Sequence, residues 1–282
     1  MKILVVGSGF DIIPLFKILN KFDHQYLLVL DLDWWAWWDK SKDFVEARIN
    51  KIINNFSAQI DKIILPPLWE VLLDDDRVIP LFKNYMLYAL SYSLVGKIWF
   101  VWDVLDRKYF QDIFYNKILK DYNLTDRQKS IRKFNKKFPI WIKQTLMWKY
   151  YLMQFWTRDR MVRKTIKVDL KYFKDADVDT LIPLNWWYLA FDNILRKYLK
   201  FKRIRYHSLP KMLEVYLKQE KKKGFDYVKI NEYFSMLAEN QQNYNVEIFY
   251  TWQINILTEQ KRFLWLLARG KEIDLKFKKI EL

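Results

Sequence analysis

"DTLIPLNWWYLAFDNIL", residues 179–195, is the stretch on which the fold turns. Asp179 and Thr180 lead into a run of apolar residues at 181–184, and a segment of apolar periodicity follows. A short apolar run bounded by polar residues and succeeded by helical spacing predicts a buried strand entering a helix. In open α/β sheets the carboxyl end of such a strand is where ligands and reacting groups collect. Here that junction is Asn185, Trp186 and Trp187. Two indoles stand where a small reactive side chain is expected.

Working outward, the same strand-then-helix pattern repeats. "ILVV" (3–6) is closed by Gly7, Ser8 and Gly9, and Pro14 is expected in the first turn of the next helix. "YLLVLDLD" (26–33) is a second strand, and Ser41 is expected to cap a helix with Phe44, Val45, Ile49, Ile52, Ile53 and Phe56 on its apolar face. "DKIILPP" (61–67) is a third, stopped by its prolines. "GKIWFVWDV" (96–104) opens another series, and "NVEIFYT" (245–251) and "EIDLKFKKIEL" (272–282) close the chain. Strands alternating with helices predict parallel sheets covered by helices.

Composition narrows the chemistry. The chain has 282 residues, 51% of them hydrophobic, which suits a globular protein with one large or two ordinary cores. Its apolar runs are broken by charge well short of the ~18–20 residues of a membrane span. The amino terminus reads as a strand rather than a signal peptide, so an intracellular protein, cytoplasmic or organellar and not secreted, is expected. There is no cysteine, which removes disulfides, thiol chemistry and zinc–thiolate sites. With only His24 and His207, a histidine metal site is not expected either.

The first strand and turn, "VVGSGFDII", carry part of a dinucleotide fingerprint, and Asp31 ends the next strand near the expected distance. Ile12, however, holds the place of the third glycine, which normally permits close helix–strand packing. A tight strand-to-helix turn is the preferred reading, with a dinucleotide enzyme as a distant competitor.

Read end to end, the sequence resembles the aspartate/glutamate racemase family, glutamate racemase in particular. The family's Asp-Ser-Gly after the first strand is matched by Gly7, Ser8 and Gly9. Its Gly-Asp-Thr-x-x-x-Pro-Tyr-Gly-x-Lys-Ser is matched at Asp31, Lys40 and Ser41, with Ala36, Trp37 and Trp38 replacing Pro-Tyr-Gly. Its Ala-Cys-Asn-Thr is replaced by Pro66, Pro67, Leu68 and Trp69. In its Gly-Cys-Thr-His-Tyr segment, Asn185 stands for the cysteine, Trp186 for the threonine and Trp187 for the histidine, while Tyr188 is kept. The resemblance covers the whole chain in order. It implies two flavodoxin-like α/β lobes whose parallel sheets face each other across a cleft. One lobe would be 1–94 plus 206–282, the other 95–205. It further implies a homodimer, a cofactor-independent reaction and an ancestral role in supplying D-glutamate for peptidoglycan.

The family's chemistry does not transfer with its fold. Cofactor-free racemisation needs a base on one face of the α-carbon and an acid on the other, and the family uses two cysteines whose pKa lies near the working range. The family's functional positions are held here by Gly7, Pro67, Asn185 and Trp187, none of which offers a usable base. A pseudoenzyme is the expectation, with no catalytic residue assigned. Ser8 alone keeps a family contact, either to substrate or as a hydroxyl closing the turn. Trp34, Trp35, Trp37, Trp38, Leu68, Trp69, Trp186 and Trp187 map to the cleft. A packed, closed cleft is preferred there over a remodelled aromatic pocket.

Two features remain. Trp38, Trp99 and Trp148 align with family glycines, and the chain has 14 Trp against 5 Gly. A codon read as tryptophan where the source organism inserts glycine would give this pattern. Charge is also uneven: residues 126–205 hold 21 Lys and Arg against 7 Asp, +14 of the net +16. A solvated basic surface is one reading. The other is a non-catalytic module that binds RNA or a protein assembly through Arg132, Lys133, Lys136, Lys137, Lys202, Arg203 and Arg205.

Overall fold

The computed structural model describes residues 1–7, 9–19, 24–31, 42–91, 98–102, 116–117, 120, 140–145, 148, 160–183, 185–208, 210–211, 214, 245–250 and 274–280. The chain divides into two compact units. The first is Met1–Leu81 with Leu213–Leu282, and the second is Phe82–Met212.

The first unit is built on a five-stranded sheet. Its strands are β1 (Lys2–Gly7), β2 (Gln25–Leu30), β3 (Lys62–Ile64), β7 (Asn245–Tyr250) and β8 (Asp274–Lys279), in the order β3-β1-β2-β7-β8. Every pairing is parallel. Parallel strands are covered on both faces, which is why β1 and β2 read as unbroken apolar runs and are buried almost throughout. Helices α1 (Gly9–Leu19) and α2 (Lys42–Phe56) make the β1–β2 and β2–β3 crossovers, and α3 (Pro67–Leu72) follows β3. Ile49, Ile52, Ile53 and Phe56 of α2 pack with Leu4, Val6, Leu27, Val29 and Ile63 of the sheet and with Leu65 just after β3. Phe249 of β7 meets Phe56 edge-on.

Three local expectations are corrected. Helix α1 begins at Gly9, straight after the turn, so Pro14 lies inside the helix and not in its first turn. Phe44 is exposed, because at 3.6 residues per turn it falls about 130° around α2 from the buried row of Ile49, Ile52, Ile53 and Phe56. Strand β3 ends at Ile64, and Pro67 opens α3 at a position whose missing N–H has no helical partner in any case. Ser41 lies outside the described residues.

The second unit has a three-stranded sheet of β4 (Ile98–Trp102), β5 (Ile140–Gln144) and β6 (Thr180–Pro183), in the order β5-β4-β6, again all parallel. Helices α4 (Leu81–Ser91), α5 (Arg160–Asp175) and α6 (Asp192–Phe201) belong with it, α4 but for its first residue. Strand β5 falls within a segment that sequence reading treated only as basic; "IWIKQ" pairs along the whole of β4. Helix α5 buries Val162, Ile166, Leu170 and Phe173, a row with helical spacing, and turns its lysines outward. Both units thus have the α/β architecture with parallel sheets that the sequence predicts. Among the described residues no helix is long and apolar enough to cross a membrane.

Candidate functional site

In each unit the chemistry-bearing positions fall at the carboxyl ends of strands. In the first unit Gly7 ends β1. A Cβ built on it would lie 3.3 Å from Ile12 Cγ1 and 3.4 Å from Asp11 Cβ, so glycine lets the strand end approach α1. Ile12, at the place of the third fingerprint glycine, fills that approach. Asp31 follows β2 and is fully buried, with its backbone N–H donating to Gly7 O at 3.0 Å. Arg48 of α2 holds its carboxylate through two bonds, Nε to Oδ2 at 2.6 Å and Nη2 to Oδ1 at 3.0 Å. A bidentate guanidinium occupies both carboxylate oxygens. The oxygens that a ribose would need are taken, which counts against the dinucleotide reading. After β3, Pro66 and Pro67 are buried, Leu68 lies on α3, Trp69 is half-buried and Glu70 is buried. Ser8, Trp34, Trp35, Trp37, Trp38 and Lys40 lie outside the described residues.

In the second unit the chain leaves β6 at Pro183, and Asn185 precedes a 3-10 turn, Trp186–Phe191, instead of entering a helix directly. Trp186 is 1% and Trp187 0% exposed, and Tyr188 and Phe191 are buried with them. Trp186 meets Phe82 of α4 edge-on. Trp187 stacks on Tyr188 with ring centroids 3.7 Å apart. The Tyr188 hydroxyl is hydrogen-bonded to the Thr145 hydroxyl. Trp148 closes the group from the side, edge-on to Tyr188 and Phe191, with its indole N–H donating to Asp169 Oδ2 at 2.5 Å. The Asn185 side-chain oxygen is buried and accepts no hydrogen bond among the described residues. The tryptophans at this strand end are therefore packed side chains of the second unit's core.

Beside them is a polar group that sequence reading missed. Asp192, the first residue of α6, accepts from Tyr206 Oη at 2.9 Å and Ser208 Oγ at 3.1 Å, and pairs with Arg196 Nε at 2.9 Å. Burial pushes its carboxyl above the ordinary range, against the lowering pull of those partners. Tyr85 of α4 donates to the His207 carbonyl at 3.0 Å, and burial drives its phenol well up. His207 is pushed down to about 4 by burial, with Arg205 adding to the effect. Tyr206 and Ser208 lie 14 and 16 residues from Asp192, separations for which local sequence carries no signal, whereas Arg196 is an i,i+4 neighbour.

Of the expected basic contacts, Arg132, Lys133, Lys136 and Lys137 lie outside the described residues. Lys202 and Arg203 form the turn after α6, with Arg203 at φ 59°. Arg205 bridges alongside β6 through its backbone, and its Nε lies 3.8 Å from Asp179 Oδ1. Among the described residues no group of three His, Cys, Asp or Glu side chains is placed to hold a metal ion.

No protein-family model matches the sequence, and no curated protein matches it. Solved structures do. A glutamate racemase of Bacillus anthracis superposes with a TM-score of 0.65 at 12% identity, covering 100% of this chain and 97% of that one. The chain has the glutamate racemase fold. The glutamate racemase of Campylobacter jejuni gives 0.61 at 14% identity over 96% of this chain and 100% of the other. That of Escherichia coli, solved with L-glutamate and the activator UDP-MurNAc-alanine, gives 0.60 at 11% over 99% and 98%. The racemase fold runs through the whole chain, and at these identities it is the architecture that is shared.

Proposed function

We propose that this protein is a divergent member of the glutamate racemase family that has lost two-base racemisation and persists as a pseudoenzyme. One observation carries the reading: 282 residues contain no cysteine, and the two positions matched to the family's thiols are Pro67 and Asn185. Proline has no titratable side chain, and an amide is neither a base nor an acid near neutral pH. The nearby carboxylates are poor replacements. Asp31 is clamped by Arg48, and Asp192 is engaged by Tyr206, Ser208 and Arg196. The packed indoles at 186 and 187 also support a strand end that has become core. The D-glutamate supply served by the ancestral enzyme would then fall to another protein.

The test is α-proton exchange. L- and D-glutamate and L- and D-aspartate are incubated with the protein in D2O and followed by NMR. No exchange above the protein-free rate is expected. Exchange that disappears on Asp11→Asn, Glu70→Gln or Asp192→Asn would overturn the reading and identify the base.

A further inference from the structure

Helix α5 carries Arg160, Lys164, Lys167, Lys171 and Lys174, all exposed. Their spacing of four, three, four and three residues keeps them on one face. At 3.6 residues per turn they fall within an arc of about 80° and run about 21 Å along the helix. Val162, Ile166, Leu170 and Phe173 anchor the opposite side in the core. Among the described residues none of the five cations is in an ion pair. Aromatic side chains flank the row. On one side Tyr172 is 48% exposed, beside Met161 and Val168. On the other is α6, where Lys167 Nζ lies 5.0 Å from the Tyr198 ring centroid. One turn further along α6, Phe201 is 87% exposed, and the exposed Lys197 and Lys200 precede these two aromatics in the sequence.

We propose that this face of α5 and α6 is a binding surface for single-stranded nucleic acid. The row of cations follows a phosphate backbone, and Tyr172 and Phe201 offer ring faces to unpaired bases. A cationic track combined with stacking platforms is what sequence-tolerant single-strand binding requires. A bilayer fits less well, because the apolar row of α5 that would insert is already buried. An acidic protein would match the charge but gives no reason for a phenylalanine held almost wholly in solvent. The proposal stands whether or not the chain racemises amino acids.

The experiment uses the full chain and fluorescein-labelled U20, with anisotropy measured over a series of KCl concentrations. If the five cations each displace a counterion, log K falls against log salt with a slope of about −3.5, from about −0.7 per phosphate on a single strand. Lys164→Glu, Lys167→Glu and Lys171→Glu together should cut affinity at least tenfold and flatten the slope by about 2. Phe201→Ala should weaken binding about five- to a hundred-fold and leave the slope unchanged. All four substitutions are at exposed positions, and unchanged circular dichroism confirms folding. Absence of binding in about 0.1 M KCl overturns the proposal. So does equal competition by heparin with no effect of Phe201→Ala, the mark of a mere polyanion surface. Tighter binding to phosphatidylserine vesicles or to polyglutamate than to U20 overturns it as well.

Discussion

His207 offers a quantitative test of how the second unit is packed. Its imidazole is pushed from an ordinary 6.5 to about 4, first by burial, then by the charge of Arg205, with Asp179 pulling weakly the other way. The folded protein therefore holds His207 neutral where the unfolded chain would protonate it. Between pH 6.5 and about 4 the unfolded state binds the extra proton, so stability falls as pH drops through that window. A difference of 2.5 units at 1.36 kcal/mol each is about 3 kcal/mol at full effect. Asp192 acts in the opposite sense: its raised carboxyl takes up a proton in the folded state first, so acidification stabilises through that group. The wild-type curve is the sum of both. The His207→Gln variant isolates the histidine part, because Tyr85 bonds the backbone carbonyl of 207 and is untouched. Urea unfolding followed by tryptophan fluorescence, from about pH 7.5 to about pH 4, should show wild type losing about 3 kcal/mol relative to the variant, or about 1–3 M in midpoint. Parallel curves for the two proteins would refute the burial of His207.

Other consequences follow from single contacts. Arg48→Ala removes the guanidinium that holds both carboxylate oxygens of the buried Asp31 and should cost about 3–5 kcal/mol; adding Asp31→Leu should recover much of it in a double-mutant cycle by chemical denaturation. Trp148→Gly empties the space against Tyr188 and Phe191 and strands Asp169, for a loss of about 3–5 kcal/mol, whereas Trp148→Phe should cost distinctly less. If glycine is the residue the source organism inserts at 38, 99 and 148, the intact mass of protein from that organism will fall below the value for this sequence, and the Trp148→Gly protein will be as stable as the chain with tryptophan.

The sheets were legible because parallel strands are buried on both faces. "ILVV", "YLLVL" and "TLIP" are short apolar runs between turn residues, as buried strands require, and the structure pairs all three in register. Strand β5 was harder. "IWIKQ" is apolar enough, but it follows a run of lysines whose charge is as typical of a binding patch as of a strand entry. Pairing with β4 is a long-range event, and no local pattern announces it. The same holds for the polar contacts. Arg48 finds Asp31 across 17 residues and Tyr206 finds Asp192 across 14, distances set by the crossover helices and not by any motif. The tryptophans at 186 and 187 were placed at a strand end from sequence, but their partners, Phe82 and Tyr188, depended on how α4 and the 3-10 turn pack.

The strand-end junction at 185–191 shows how the sheet and the side chains that follow it are specified separately. Backbone pairing of β6 with β4 and the apolar run that drives it do not depend on what side chain follows Pro183. Small polar residues there would leave the edge open to a substrate. Trp186 and Trp187 instead bury their indoles, each contributing about 1.5–3 kcal/mol by removal of apolar surface from water. Their neighbours have adjusted to that volume: Trp187 stacks on Tyr188, and Tyr188 is fixed through Thr145. A cysteine at 185 would sit beside the same packed Trp186, Trp187 and Phe191. Among the described residues of this unit, the cations of α5 and α6 with Tyr172 and Phe201 are exposed. The binding proposed above uses the exposed cations and rings of α5 and α6, while the packed junction at 185–191 contributes stability.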